Sequence, residues 1–252
     1  MAREVALEIA VQDTDGVRVA AEVGAQRVEL CAALGATGGL TPSIGLVEAA
    51  VAAALEVAGD AAPVEVHPLI RPRPGGFVFT AAEVDVQVRD VRAAVVAGAS
   101  GVVIGALTAD GLVDSDAVRA LVEAADGREV TFHRAIDVVE DVTAALDLLA
   151  GLGVSRVLTS GGAPSSIDGV DRLREMARHS AGRVQVQAGG GVRPQDVAAL
   201  VDAGVDAVHL SAKRTLSDDG GPGGGGGAGY EVTDPAVARA ARDAVDEALA
   251  RL

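Results

Sequence analysis

The 252-residue chain has no tryptophan, one tyrosine, three phenylalanines and a single cysteine. A core without large rings has to be filled by Ala, Val, Leu and Ile, the small and branched side chains that suit the inside of a tight parallel barrel. One cysteine, Cys31, excludes an intramolecular disulfide. Lysine is scarce as well, with Lys213 alone among basic residues that are otherwise arginine. Acidic residues outnumber basic ones 36 to 21, for a formal net charge of -15. A surface of that sign repels phosphate backbones and anionic headgroups, so neither nucleic-acid nor membrane partners are expected. No apolar run reaches the roughly 18 residues needed to span a bilayer. The N-terminus passes from Arg3 and Glu4 straight into a short alternation carrying Glu8, unlike a secretory leader. A cytoplasmic location is the expectation.

What the chain does have is a repeated joint, Gly-(Ala/Val)-x-x-Val, at residues 24–28, 98–102, 153–157 and 204–208. Each joint closes an Ala-rich amphipathic stretch and opens a β-branched run, as expected for a left-handed residue past a helix followed by a buried parallel strand. Strands are predicted over 5–10, 27–31, 64–70, 101–106, 129–134, 156–160, 183–188 and 207–211, with helices between them. Helix starts are marked by Thr80 with Glu83, by Asp234 before Pro235 and by Arg193-Pro194. Eight strand–helix units in one chain predict an α/β fold of the (β/α)8 TIM-barrel class, a single domain over 1–252. A doubly wound sheet is the alternative, but the first strand-to-helix turn, residues 11–16, has no Gly-x-Gly fingerprint. No organic cofactor is predicted. Residues 217–229, with five consecutive glycines, read as a flexible loop between the eighth strand and the last helix, above the functional face.

Residues two apart on a strand share a face, which sorts the polar positions. Glu29 lies with Cys31, and Glu65 with His67 and Arg71. Thr131 lies with His133, Gln185 with Gln187, and His209 with Ser211, while Glu8 sits in the first strand. If these faces point inward, the polar groups form a hydrogen-bonded network or line a solvated pocket, because burying them unpaired costs several kcal/mol each. Barrel chemistry sits at the C-terminal ends of strands, so Glu8, Glu29, His67, His133 and His209 are candidate acid–base residues. The loop carrying Arg71 and Arg73 offers guanidinium forks to an anion. Arg134 either joins them or, having the opposite parity to His133, pairs behind the barrel wall. Ser160-Gly161-Gly162 after strand six and Gly189-Gly190-Gly191 after strand seven are either anion-binding turns or tight turns alone. Ser211 completes the substrate-binding candidates. Lys213, at the parity of Ser211, is the one lysine a Schiff base could use.

The motifs 7–9 (Leu-Glu-Ile), 27–31 (Arg-Val-Glu-Leu-Cys), 38–43 (Gly-Gly-Leu-Thr-Pro-Ser), 70–73 (Ile-Arg-Pro-Arg), 101–107, 131–135 (Thr-Phe-His-Arg-Ala), 158–162 (Leu-Thr-Ser-Gly-Gly) and 208–212 (Val-His-Leu-Ser-Ala), in that order, resemble the CutC family, over about residues 5 to 213. The resemblance implies a barrel, a cytoplasmic location and copper homeostasis, with Cu(I) held through thiols and Cys31 as the candidate metal ligand. Two departures stand out. Ala10 occupies a position where the family often has cysteine, and the glycine tract replaces the segment after strand eight. Three functions are therefore open: a copper-handling protein binding Cu(I); an isomerase, lyase or hydrolase using Glu/His chemistry on a small anionic metabolite; or a scaffold or interaction protein whose pocket is vestigial. A homo-oligomer is left open.

Overall fold

The computed structural model describes residues 4–217 and 229–252. Eight parallel strands form its centre: β1 (Ala6–Val11), β2 (Arg27–Leu30), β3 (Glu65–Pro68), β4 (Gly101–Ile104), β5 (Glu129–Phe132), β6 (Arg156–Thr159), β7 (Gln185–Gly189) and β8 (Ala207–Leu210). They pair in the row β3-β2-β1-β8-β7-β6-β5-β4. The ends of the row meet where Ser100 N–H donates to the Val66 carbonyl at 3.0 Å and Ile70 N–H to the Val103 carbonyl at 2.8 Å. That seam closes a (β/α)8 barrel. Each predicted strand is present, with ends shifted by no more than two residues.

Around the barrel run α1 (Thr14–Glu22), α2 (Leu34–Thr37), α3 (Ile44–Ala58), α4 (Ala81–Val96), α5 (Ser115–Ala124), α6 (Val142–Gly151), α7 (Val170–Ser180), α8 (Val197–Ala203) and α9 (Pro235–Leu249). Their starts follow the sequence signals. Thr80 and Glu83 form the reciprocal capping box of α4, and Asp234 caps α9 with Pro235 in its first turn. Each such cap satisfies backbone donors that a helix start leaves orphaned, worth about 1 kcal/mol. The Arg193-Pro194 signal opens a short 3-10 turn, Pro194–Asp196, that runs into α8. The joint glycines Gly24, Gly98, Gly153 and Gly204 all have φ between 79° and 100°, the left-handed conformation that reverses the chain into the next strand.

Outward-facing strand residues such as Leu7, Ile9, Ile104 and Phe132 pack against Val17, Val91, Leu121 and Leu173 of the helices, all with no exposed surface. Burial of each such side chain favours folding by roughly 1.5–3 kcal/mol. The inward positions are unusual for a barrel because so many are polar. Rising along β3 they are Glu65, His67, Leu69 and then Arg71. Leu69 packs with Cys31 and Val103 in a small apolar shelf, and this shelf separates His67 from the space above.

One element was not foreseen. Lys213–Leu216 (β9) pairs antiparallel with Tyr230–Thr233 (β10) just past β8. The expected glycine loop lies outside the described residues except for its ends, Ser217 and Gly229. Among the described residues no helix is long and apolar enough to cross a membrane.

Candidate functional site

A cavity of about 540 Å³ opens at the C-terminal ends of the strands, a size suited to a small metabolite. Of the residues singled out in the sequence, Glu29, Arg71, His133, Arg134, Gly190, Gly191, His209 and Ser211 line it, together with Lys213. Phe77, Val192 and Leu34, which sequence reasoning missed, form much of its apolar wall. Glu8, Cys31, His67, Arg73, Ser160, Gly161, Gly162 and Gly189 lie outside the lining.

Glu8 is the hub beneath the cavity. Its carboxylate, 1 % exposed, accepts from Arg27 Nε at 3.0 Å, from the Gln187 amide and from His209 Nδ1 at 2.8 Å. Burial alone would raise its pKa. The His209 hydrogen bond and the charges of Arg27, His209 and Arg156 outweigh burial and hold the carboxyl well below the usual range. The same contact acts in reverse on His209. Burial disfavours its cation, but the bond to Glu8 and the charges of Glu29 and Glu8 raise its pKa.

Glu29 sits 3.7 Å from His209 Nε2. Burial raises its pKa, the His209 charge opposes that rise and the Glu8 charge adds to it. It is therefore the carboxyl of this pair that gains a proton more easily, while Glu8 stays ionised. Cys31, on the same strand face two residues on, is fully buried. Burial first, and then the Glu29 charge and hydrogen bond, push its thiol well above the usual range.

His133 stands over Gly105, where a Cβ would lie 2.2 Å from its Cε1, and tilts against Phe77 with ring centroids 4.8 Å apart. Its Nδ1 accepts the Ala135 N–H at 3.2 Å, so the proton of the neutral ring is on Nε2. Burial and the Arg71 charge lower its pKa to about 3. Its Nε2 has no hydrogen-bond partner among the described residues. His133 is thus a neutral donor whose proton meets no acceptor among the described residues.

Arg71 and Arg73 depart from expectation. Arg71 spends its Nη groups on the carbonyls of Thr37, Gly39 and Gly75, which fixes the loop around the mouth, while its Nε has no partner among the described residues. Arg73 turns away from the cavity to pair with Glu83 and bond the carbonyls of Gly76 and Val78. Arg134 does not pair behind the wall. β5 ends before it, and a 3-10 turn over Arg134–Val138 carries its side chain to the cavity, where it bonds Asp137 at 2.8 Å and Ser160 Oγ at 2.9 Å.

Asp137 also corrects the reading of the turn after β6. Its carboxylate accepts from the amides of Ser160 and Gly162 and from the hydroxyls of Thr159 and Ser160. Gly161 N–H is taken by Thr159 Oγ1 at 2.9 Å. Of the two readings left open for this turn, the tight turn alone fits, since the chain's own acceptors occupy these donors. Sequence could not have shown this, since Asp137 lies 23 residues away from Ser160. The turn after β7 is different: the amides of Gly190, Gly191 and Val192 meet no acceptor among the described residues, and these residues line the cavity. Gly189 is a strand residue, where a Cβ would collide with Leu158.

His67 is the largest displacement from expectation. It does not reach the mouth. It lies below the Leu69 shelf with no exposed surface, and burial is the main cause that lowers its pKa to about 4. Around it at the N-terminal end, Arg156 bonds Glu129 at 2.7 Å, Gln185 at 2.9 Å and Thr131 at 3.0 Å. The parity of Arg27, Glu129 and Arg156 with their neighbours was the available signal for this layer.

Comparison with known proteins gives one consistent result. The sequence pattern of the CutC family matches residues 5–214. A protein of Agrobacterium fabrum named as family protein CutC is 43% identical over 238 residues, 92% of this chain and 91% of its own length. A protein of Caulobacter vibrioides with the same name is 44% identical over 211 residues, 83% of this chain and 82% of its own. The crystal structure of CutC from Streptococcus agalactiae, described in terms of copper homeostasis, superposes with a TM-score of 0.76 at 27% identity, covering 82% of this chain and 98% of that one.

Proposed function

Because the chain belongs to the CutC family, we propose that it serves copper homeostasis in the cytoplasm, with the cavity at the C-terminal mouth as its working site. A lone cysteine and the absence of a membrane-crossing helix among the described residues agree with that compartment. Within this role, the ligand the cavity suits best is a small anionic molecule.

The observation that carries this reading is the unpartnered Nε2 donor of His133 beside the Glu29–His209 pair. A neutral imidazole donor stabilises an oxygen that gains negative charge. Glu29, whose pKa is raised, exchanges a proton with the ligand, while Glu8 orients His209 and favours its cationic form. Arg134 and the free amides after β7 supply the counter-charge and donors for the ligand's anionic end. This arrangement serves proton-transfer chemistry of the isomerase, lyase or hydrolase kind. Lys213 is not part of it as a Schiff-base amine, because its Nζ pairs with Glu231 at 2.5 Å.

The test is thermal unfolding of the purified protein with a panel of small carboxylates and phosphates. A true ligand at a hundredfold excess over its Kd stabilises by about 2.7 kcal/mol. At least one compound should raise Tm, and His133→Ala should abolish the rise. No stabilisation by any compound, or an unchanged rise in His133→Ala, overturns the reading.

Cu(I) at Cys31 is a second reading, carried by the position of the thiol. Its sulfur lies 3.4 Å from where a Cβ on Gly39 would stand, and Leu34 packs on Cys31 while lining the cavity. Uptake would have to displace a proton held by burial and Glu29, and a lone thiol gives a soft ion one of the sulfur ligands it favours. Anaerobic titration with Cu(I) should then show stoichiometric uptake that strengthens with pH and is lost in Cys31→Ser. Uptake unchanged by that substitution removes Cys31 from the site.

A further inference from the structure

The N-terminal mouth of the barrel, opposite the cavity, brings together Glu65, His67 and Glu129. One donor atom from each lies within 4.8 Å of the others, the one such group of three among the described residues. The arrangement follows from the strand register. Glu65 and His67 share the inward face of β3, and Glu129 stands opposite Gly101 of β4. Gly101 is what lets them meet, since a Cβ there would lie 2.6 Å from both His67 Cε1 and the Glu129 carbonyl oxygen.

An acidic cluster alone would mean little, but His67 is an independent observation. It has no exposed surface, and neither ring nitrogen has a hydrogen-bond partner among the described residues. Its Nε2 faces Glu65 Oε2 at 3.7 Å. A buried imidazole with both nitrogens unsatisfied is a costly thing to retain. The carboxylates beside it are 46% and 44% exposed, so the group is open to ions from solvent.

We infer that Glu65, His67 and Glu129 form a binding site for a divalent first-row transition-metal ion. The donor set is one imidazole nitrogen and two carboxylates without sulfur, which suits Zn(II) and Cu(II) and not Cu(I). Three atoms within 4.8 Å of one another leave an ion at most about 2.8 Å from each, so the carboxylates need close by under about 1 Å to reach the ~2.0–2.2 Å of Zn–N and Zn–O bonds. Arg156 holds Glu129 through Oε2, which orients the carboxylate beside the ion. Water completes the coordination. The ion would tie β3 to β5 across β4, next to the seam that closes the barrel.

Calorimetric titration of Zn(II) into the full chain, carrying Cys31→Ser so that the thiol is out of play, tests the site. One equivalent should bind, at least tenfold more weakly in Glu65→Gln and Glu129→Gln, and not at all in His67→Gln. The two glutamate positions are half-exposed, so those variants keep the test decisive if His67→Gln fails to fold. Cu(II) should give an electron paramagnetic resonance spectrum with coupling to one imidazole nitrogen, lost with His67. Absence of uptake, or uptake of the same strength in both glutamine variants at 65 and 129, overturns the inference. Either result leaves the ligand test of the upper cavity untouched.

Discussion

The two mouths of the barrel are made by the same strand alternation, yet they use their charges differently. At the C-terminal mouth the charged and titratable groups are withdrawn from bulk water: Glu8, Arg27 and His209 are all at most 9 % exposed. At the N-terminal mouth Arg156 is sealed, but its partner Glu129 and the neighbouring Glu65 are half in water. The upper set has no solvent to fall back on and must be balanced internally. The lower set can be rebalanced by water or an ion. A buried pair resists loss of either partner far more than a pair with one wet member.

Acid should expose the contrast most strongly. His67 and His133 stay neutral in the folded chain down to about 4 and about 3, whereas in the unfolded chain they take up protons near pH 6.5. Stability should therefore fall as pH drops from about 6.5 toward 4, by about 1.4 kcal/mol per pH unit for each histidine. His209 has the opposite sign. Its raised pKa gives stability that is present below about pH 6.5 and lost as pH rises through its folded value. Urea unfolding across pH in chelator-treated buffer measures the slope, and His67→Gln and His133→Gln should each remove about half of the acid-side loss. A slope unchanged by one of them shows that the histidine of that mouth is open to protons in the folded chain.

Substitution of the hub comes next. Glu8→Leu leaves Arg27 and His209 buried without their shared carboxylate and should cost about 3–5 kcal/mol. Glu129→Gln should cost about 1 kcal/mol or less, since Arg156 keeps Gln185 and Thr131 and the lost pair is partly solvated. Equal losses in denaturant melts would break the distinction between the mouths.

The glycines sharpen it further. Gly105→Ala drives a methyl into His133 and Gly101→Ala drives one into His67 and the Glu129 carbonyl, each at about 1–3 kcal/mol. Only Gly105→Ala should also abolish stabilisation by a cavity ligand, which the thermal panel would register. Smallest of all is Arg73→Ala. Its pair with Glu83 is open to solvent and weakened by screening, so the midpoint of a denaturant melt should shift less than for any of the variants above, with ligand stabilisation unchanged.

Strands and caps were legible in the sequence because they rest on local rules: the joint glycines, the Thr80–Glu83 box and the β-branched runs each state their own conformation. Parity brought Glu29, His133 and His209 to one cavity, but at Arg134 the strand had already ended and parity no longer applied. Depth did not follow from parity, because a face says inward without saying at which layer, and His67 belongs to a lower layer than His133. Long-range satisfaction was invisible too. Asp137 reaches the Ser160 and Gly162 amides, and Arg71 folds back on the carbonyls of Thr37 and Gly39, in both cases through contacts that only the closed barrel creates. The β9–β10 hairpin lacks the alternation of a buried strand because Lys213, Arg214 and Thr215 are exposed.

The thin seam between β3 and β4 has a colloidal consequence. Topologically the barrel is an open row of eight strands whose outer edges are latched together, and an unlatched edge is a template on which another molecule's strand can grow. Where that latch breathes, the protein's solubility is at stake before its stability is. The negative surface charge then acts as a second guard, keeping apart molecules whose edges are momentarily bare.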